Sequence, residues 1–163
     1  MIYEIVAAAF GRAEEAVLVD DIRASEEFVP ELSLIAERDG RIVGHVMISH
    51  ARLRADDGTE RRIGTLAPLA VTPDVQRTGI GSALVREVAA RAEAMGEPLV
   101  VLEGSPDYYG RLGFEHSVRH GIRIDLPSWA PAEAAQVMRL AGYEPSMRGL
   151  VVYSAAFDEV IED

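Results

Sequence analysis

Between Gln76 and Ser82 the chain reads Gln-Arg-Thr-Gly-Ile-Gly-Ser, two glycines spaced two apart at the start of an amphipathic run. Glycine leaves backbone N–H groups uncovered, and at a helix start those groups and the helix dipole together attract phosphate. Arg77 adds a positive charge and Ser82 a hydroxyl. Three readings stay open on this segment alone: a phosphate cradle, a dinucleotide fingerprint, or a glycine-rich helix start that binds nothing. The fingerprint Gly-x-Gly-x-x-Gly would bind NAD, with Glu103 standing roughly where an acidic ribose ligand belongs. Against it, the third glycine position holds Leu84, and Gly79 lies eight residues beyond Val71 rather than directly after a strand.

Other chemistries are excluded by composition. The 163 residues contain no cysteine, no lysine and no asparagine. A thiolate nucleophile, a disulfide framework, a zinc–thiolate cluster, a Schiff base and a P-loop lysine are therefore ruled out. Any catalysis must use Ser, Thr, Tyr, His, Asp, Glu or backbone groups. The four histidines, His45, His50, His116 and His120, show no metal-ligand spacing, so no metal site is expected. His45 and His50 share a strand but differ by five positions, so at most one can face a cleft. Sixteen basic against 27 acidic residues give a net charge of −11. That balance disfavours nucleic-acid binding and leans toward a cationic partner.

The elements that must position these residues follow from apolar spacing. Ile2 to Ile22 has helical periodicity interrupted by Gly11, one broken helix or two short ones. Leu32–Glu37 and Arg41–His50 flank Asp39-Gly40, a hairpin signal. Residues 54–62 are polar and contain Asp56-Asp57-Gly58, a loop or turn. Gly64–Val71 reads as a buried strand in which Pro68 cannot donate to a ladder, so the strand should be bulged or splayed there. Ile80, Leu84, Val88, Ala92 and Met95 mark an amphipathic helix ended by Gly96 and Pro98. Leu99–Leu102 is a strand apolar on both faces. Strand, helix and strand over 64–102 should bring two parallel strands together. Ser105–Leu112 is a turn and short helix, and Phe114 begins a strand. Residues 135–140 are ambiguous between helix and strand, although Pro131-Ala-Glu reads as a helix start. Leu150–Phe157 reads as a last strand. An antiparallel hairpin followed by a parallel crossover implies one α/β domain over 1–163 with a mixed sheet. No apolar run approaches the roughly 20 residues that span a bilayer, and the start lacks a basic signal-peptide region. A cytoplasmic location is expected.

Two motifs in order carry a family resemblance. Val71-Thr-Pro-Asp-Val-Gln76-Arg-Thr-Gly79-Ile-Gly81 resembles the acetyl-CoA signature of the GNAT N-acetyltransferase superfamily, and Tyr109-Gly-Arg-Leu-Gly113-Phe114 resembles that family's Y-x-x-x-G-F element. The close likeness covers about 32–114. It implies a single-domain GNAT-like α/β fold: a mixed sheet with an antiparallel hairpin, a central splayed parallel strand pair, and helices on both faces. It also implies direct transfer of acetyl from acetyl-CoA to a primary amine, of a small molecule or of a peptide or protein, in a ternary complex. An acyl-CoA-binding module without catalysis is the alternative on the same fold.

Residue by residue, the resemblance places the CoA pyrophosphate on the amides of Arg77, Thr78, Gly79, Ile80, Gly81 and Ser82, with Gln76 shaping the turn. Leu69, Ala70 and Val71 fall on the splayed strand beside pantetheine, and the N–H of Val71 would polarise the thioester carbonyl. Tyr109 matches the family's proton donor to the leaving thiolate, with Tyr108 its neighbour and rival. A phenol with a pKa near ~10 would serve a thiol of about 8.5. The glutamate that some members carry on the bulged strand is Thr65 here, which leaves Glu103 as the best-placed carboxylate for a general base. Members usually begin with a short strand, whereas this sequence begins almost inside a helix. That difference would leave Leu32–Glu37 as an open sheet edge, an invitation to pair with a second copy.

Overall fold

The computed structural model describes residues 1–158; the last five positions of the expected 1–163 domain lie outside the described residues. The broken N-terminal periodicity resolves into two helices, α1 (Ile2–Phe10) and α2 (Glu14–Arg23). Gly11 ends α1 in the left-handed region at φ 70° and donates its N–H to the Ala7 carbonyl (2.9 Å). Strand β1 (Ser33–Arg38) turns through Asp39 and Gly40, both at positive φ, into β2 (Arg41–Arg54). That is the two-residue turn the Asp-Gly pair predicts.

Residues 54–62 are not one loop. Strand β2 continues through Arg54 and β3 (Glu60–Val71) starts at Glu60, so the connection is a tight turn over 55–59. Asp57 holds it by accepting hydrogen bonds from the Thr59 N–H (3.0 Å) and hydroxyl (2.7 Å). Polar alternation on the solvent side of two paired strands imitates loop composition. Helix α3 (Ile80–Ala94), strand β4 (Leu99–Glu103) and helix α4 (Pro106–Gly110) follow as the spacing predicts.

The last third is less regular than its apolar runs imply. Phe114 precedes a strand of two residues, β5 (Glu115–His116), and β6 (Ile122–Arg123) is equally short. Pro131-Ala-Glu opens a single 3-10 turn (Ala132–Ala134), after which β7 (Ala135–Arg139) is a strand. The expected final strand stops early: β8 covers Gly149–Val152, and Ala155–Phe157 form a 3-10 turn.

The sheet runs β5-β7-β4-β3-β2-β8-β6, with β1 also paired to β2. Strands β1 and β8 share one edge of β2 end to end, at Ser33↔Met47 through Arg38↔Arg41 and at Arg52↔Val152 through Arg54↔Leu150. Among the described residues no strand pairs the other edge of β1, where Ile35 is exposed. Helix α3 covers one face, packing Leu84, Val85 and Val88 on Val46, Ile48, Leu66 and Val100. Helices α1 and α2 cover the other, where Val6, Val19 and Ile22 meet Met47 and Ala70. A further apolar cluster lies where Leu99 and Val101 meet Ile63, Ile122 and Val137. Strand β4 is therefore buried on both faces.

The site depends on what happens at Pro68. Val46 pairs with Leu69 but Ile48 pairs with Leu66, so two steps on β2 span three on β3. One extra residue is a β-bulge. It resets the alternation: Leu66 and Leu69 pack toward α3, while Ala67 and Ala70 pack toward α1 and α2. The parallel pairing of β3 with β4 ends here too, being confined to Gly64↔Val100 and Thr65↔Val101. From Leu66 onward β3 stays with β2 and leaves β4.

Gly149 fixes β8 onto β2. Its φ is 142°, and a Cβ there would stand 2.0 Å from the Arg54 carbonyl oxygen. Backbone cannot yield as a side chain can. Gly149→Ala is expected to cost about 2–4 kcal/mol, a fall of roughly 5–15 °C in Tm on thermal unfolding.

Candidate active site

Two pockets open on the two sides of the splay. The first, of about 440 Å³, is lined by Leu69 and Val71 of β3, by Gln76, Arg77 and Gly79 of the loop, and by Ile80, Gly81 and Ser82 of α3, with Tyr108 opposite. The loop is held by its own side chains. Gln76 donates from Nε2 to the Val71 carbonyl (2.9 Å), and Thr78 donates from its hydroxyl to the Val75 carbonyl (2.6 Å). Arg77 at φ 63° and Gly79 at φ 91° turn the chain into α3 through the left-handed region. Gly79 is the N-cap and carries no side chain, so the first-turn amides face the groove without a side-chain cap. Gly81 has a different reason to be glycine. A Cβ there would meet the Tyr108 hydroxyl at 2.7 Å.

These residues fit a phosphate-bearing cosubstrate: free amides at a positive helix end, an arginine beside them, and a groove floored by glycine. Tyr108 belongs to this side, its hydroxyl 3.4 Å from that of Ser82. Sequence placed it only as a rival to Tyr109.

The second pocket, of about 380 Å³, lies between α1–α2, the β3 bulge, the end of β4 and the C-terminal segments. Thr65 and Leu66 line it from β3, Glu103 from the end of β4, Gly104 from just after it, Tyr109 from α4, and Tyr153 from beyond β8. Leu69 lines both pockets. The extra residue that separates β3 from β4 thus places one leucine where the two openings meet.

Local sequence explains why Tyr109 stands there. Ser105 caps α4, its hydroxyl oxygen accepting from the Tyr108 N–H (3.4 Å), and Pro106 begins the helix. Gly104 admits the ring: a Cβ on it would stand 2.6 Å from Tyr109 Cε2. Gln136 holds the Gly104 carbonyl from β7 (3.0 Å), and Tyr109 packs edge-on against Phe114. The Gly113-Phe114 half of the motif therefore supports the tyrosine from behind. Burial pushes the Tyr109 phenol up to about 12, with a smaller contribution from the neighbouring Tyr108. It stays protonated at any working pH.

Glu103, at the end of β4, lines the same pocket. Burial among the pocket walls raises its carboxyl above the ordinary range, and a hydrogen bond from the Tyr153 hydroxyl to Oε2 (2.9 Å) opposes that rise. Burial also raises the Tyr153 phenol, and the Glu103 charge adds to this, so Tyr153 remains a donor. The pair brings together residues 50 apart in sequence.

The histidines stand elsewhere. His45 is wholly buried and donates from Nδ1 to the Leu34 carbonyl (2.9 Å); burial lowers its pKa. His50 bonds through Nε2 to Glu97 (2.7 Å) on the α3 side of the sheet. His120 lies 3.3 Å from Glu115, and His116 is beside it on β5. None lines either pocket. Among the described residues no cluster of three or more His, Cys, Asp or Glu side chains is arranged to hold a metal ion, and no helix is long and apolar enough to cross a membrane.

Several lining residues were not singled out one by one from the sequence, although the 11–25 region and the C-terminal third that hold most of them are where the acceptor side was expected: Phe10, Arg12, Glu15, Pro127, Trp129, Tyr153 and Phe157. They come from four separate segments and form no motif. The available signal was chemical, since Phe10 and Trp129 are large aromatics left 42% and 75% exposed. Residues 54–62 do not line this pocket.

Comparison with known proteins agrees with this geometry. Residues 1–117 match the acetyltransferase (GNAT) domain family. The uncharacterized N-acetyltransferase YjhQ of Escherichia coli K12 is 38% identical over 115 residues, which cover 70% of this chain but only 62% of YjhQ. YhbS of the same organism, also an uncharacterized N-acetyltransferase, is 34% identical over 153 residues, 92% of this chain and 87% of YhbS. The crystal structure of E. coli YhbS in complex with CoA superposes with a TM-score of 0.85 at 31% identity, covering 96% of this chain and 84% of that one. A GNAT family acetyltransferase from Brucella melitensis, solved with acetyl-CoA, gives a TM-score of 0.75 at 31% identity over 96% of this chain and 90% of that one. Matched by the family model over residues 1–117 and by YhbS over 92% of its length, the chain belongs to the GNAT acetyltransferase family.

Proposed function

We propose that this protein transfers acetyl from acetyl-CoA directly to a primary amine, both substrates being bound at once. The observation that carries this reading is Leu69, which lines both pockets, so a cosubstrate in one and an acceptor in the other meet at the bulge without a covalent enzyme intermediate. The absence of cysteine agrees with direct transfer. When bound, the thioester supplies the activated acyl group.

The residues divide the remaining work. The amides from Arg77 to Ser82 hold the pyrophosphate, with the Arg77 charge beside them. Leu69, Ala70 and Val71 flank the pantetheine arm. Thr72 donates its N–H to the Val43 carbonyl (2.8 Å), toward β2. Alternation along the strand turns the Val71 N–H the other way, to the open side, where it is free to polarise a carbonyl oxygen. Glu103 takes the ammonium proton directly or through water. Tyr109 stabilises the departing sulfur. With its phenol near 12, outright transfer to a thiolate of about 8.5 is uphill by roughly 5 kcal/mol. Tyr109 therefore acts first as a neutral hydrogen-bond donor, a narrower role than that of an unperturbed phenol. In the balanced reaction the ammonium loses two protons: one ends on sulfur and the other goes to solvent.

Three measurements test this reading. Acetyl-CoA at 100 times its Kd is expected to raise stability by about 2.7 kcal/mol in a thermal titration, while NAD gives no shift. The reverse result would replace the acetyltransferase with the dinucleotide reading. Tyr109→Phe is expected to lower kcat about 10²-fold with acetyl-CoA affinity within about twofold of wild type; acetyl-CoA binding by wild type without transfer to any amine would favour the idle module. Tyr153→Phe removes the hydrogen bond that lowers the Glu103 pKa, so that pKa rises further. The acid limb of kcat/KM then moves to higher pH, and an unmoved limb would remove Glu103 from the base role.

A further inference from the structure

The acceptor-side pocket limits what it can hold, an inference that rests on the transferase reading above. Its wall is mostly apolar, built from Leu66 and Pro68 at the bulge, Pro127 and Trp129 before β7, and Phe10 at the end of α1. Trp129 and Phe10 stand exposed at the rim. Large aromatics left in water beside an apolar hollow mark a ligand surface. An adjoining hollow shares Glu103, Gly104, Pro127 and Trp129, so this surface continues past the tryptophan.

Charge is sparse and one-sided. The lining charges are Arg12, Glu15 and Glu103. Glu15 is 6% exposed and accepts from Arg12 Nε at 3.0 and 3.1 Å, so the half-exposed guanidinium is paired with the buried carboxylate and offsets its charge. What remains is the Glu103 carboxylate at the splay end and aromatic surface at the mouth.

We propose that the acceptor is a lipophilic monoamine: a primary ammonium on a short carbon arm attached to an aromatic or alicyclic body. The ammonium lies against Glu103 and the body against Trp129 and Pro127. A free amino acid would bring a carboxylate toward a pocket whose one cation is already engaged by Glu15. A polyamine or a lysine side chain would leave the aromatic wall unused. Transfer forms the N–C bond, breaks the C–S bond, and yields a neutral amide that has lost its attraction to Glu103, which favours product release.

Trp129 is the single tryptophan of the chain, so its fluorescence reads this pocket without turnover. The experiment titrates 2-phenylethylamine against the protein by tryptophan fluorescence. It also measures acetylation of 2-phenylethylamine, phenylalanine, spermidine and a lysine-containing peptide by release of free CoA. A saturable fluorescence change is expected, with kcat/KM for 2-phenylethylamine at least about tenfold above the other three. Trp129→Ala, an exposed position that the fold tolerates, is expected to raise KM for 2-phenylethylamine roughly tenfold and leave KM for acetyl-CoA unchanged. Preference for spermidine, the peptide or phenylalanine overturns the proposal and leaves the transferase reading intact, as does an unaltered KM in Trp129→Ala. Saturable fluorescence with no acetylation of any amine overturns the transferase reading instead. No fluorescence response overturns the proposal outright.

Discussion

Two residue pairs, Gly64↔Val100 and Thr65↔Val101, are all that join β3 to β4, and the rest of the site is arranged around the point where that pairing stops. A strand inside a sheet normally satisfies its backbone groups on both sides. Past Thr65, β3 keeps the ladder to β2 and turns its other side to an opening. Substrate groups can then meet main-chain N–H donors in the middle of a protein, where water competes least. The bulge at Pro68 marks the departure, Leu69 lines the openings on both sides, and Gly104, just past the end of β4, leaves room for the Tyr109 ring. Each piece has a local reason, but only the unzipped ladder gives them a common place.

Electrostatics are assigned locally against the global field. A chain of net charge −11 repels a polyanionic cosubstrate at long range, yet screening confines that repulsion to about a Debye length of roughly 8 Å at physiological salt. Within that distance the uncapped amides of α3 and the Arg77 guanidinium dominate. On the other side of the splay, the same acidic excess favours a cation. Burial adds to the division by keeping Tyr109 and Tyr153 protonated and by raising the Glu103 carboxyl above the ordinary range.

What was legible in the sequence was what local chemistry dictates. Asp39-Gly40 specifies a turn, Gly79 a left-handed helix start, and Pro68 a break in a ladder; each constraint acts within a few residues. The second pocket follows different rules. Glu15, Glu103, Trp129 and Tyr153 come together only when the sheet brings four segments to one place, and no spacing encodes that. The over-long final strand has the same origin. Tyr153 and Phe157 are apolar because they line the pocket and stack on each other at 5.1 Å, not because they alternate across a sheet. Tyr108 and Tyr109 show the limit most clearly. Consecutive helical residues point about 100° apart, so neighbours in sequence serve different pockets.

The bulge also means that this sheet counts residues. The 55–59 turn tops two paired strands in solvent, where insertions and deletions are absorbed at little energetic cost. The stretch from Leu66 to Leu69 has no such slack. Losing one residue there would restore simple alternation with Leu66 and Leu69 still on one face, and with the bulge gone β3 could zip back onto β4. Substitution and length change therefore obey separate tolerances in the same strand. The number of residues between Thr65 and Val71 is held by the geometry of the opening itself.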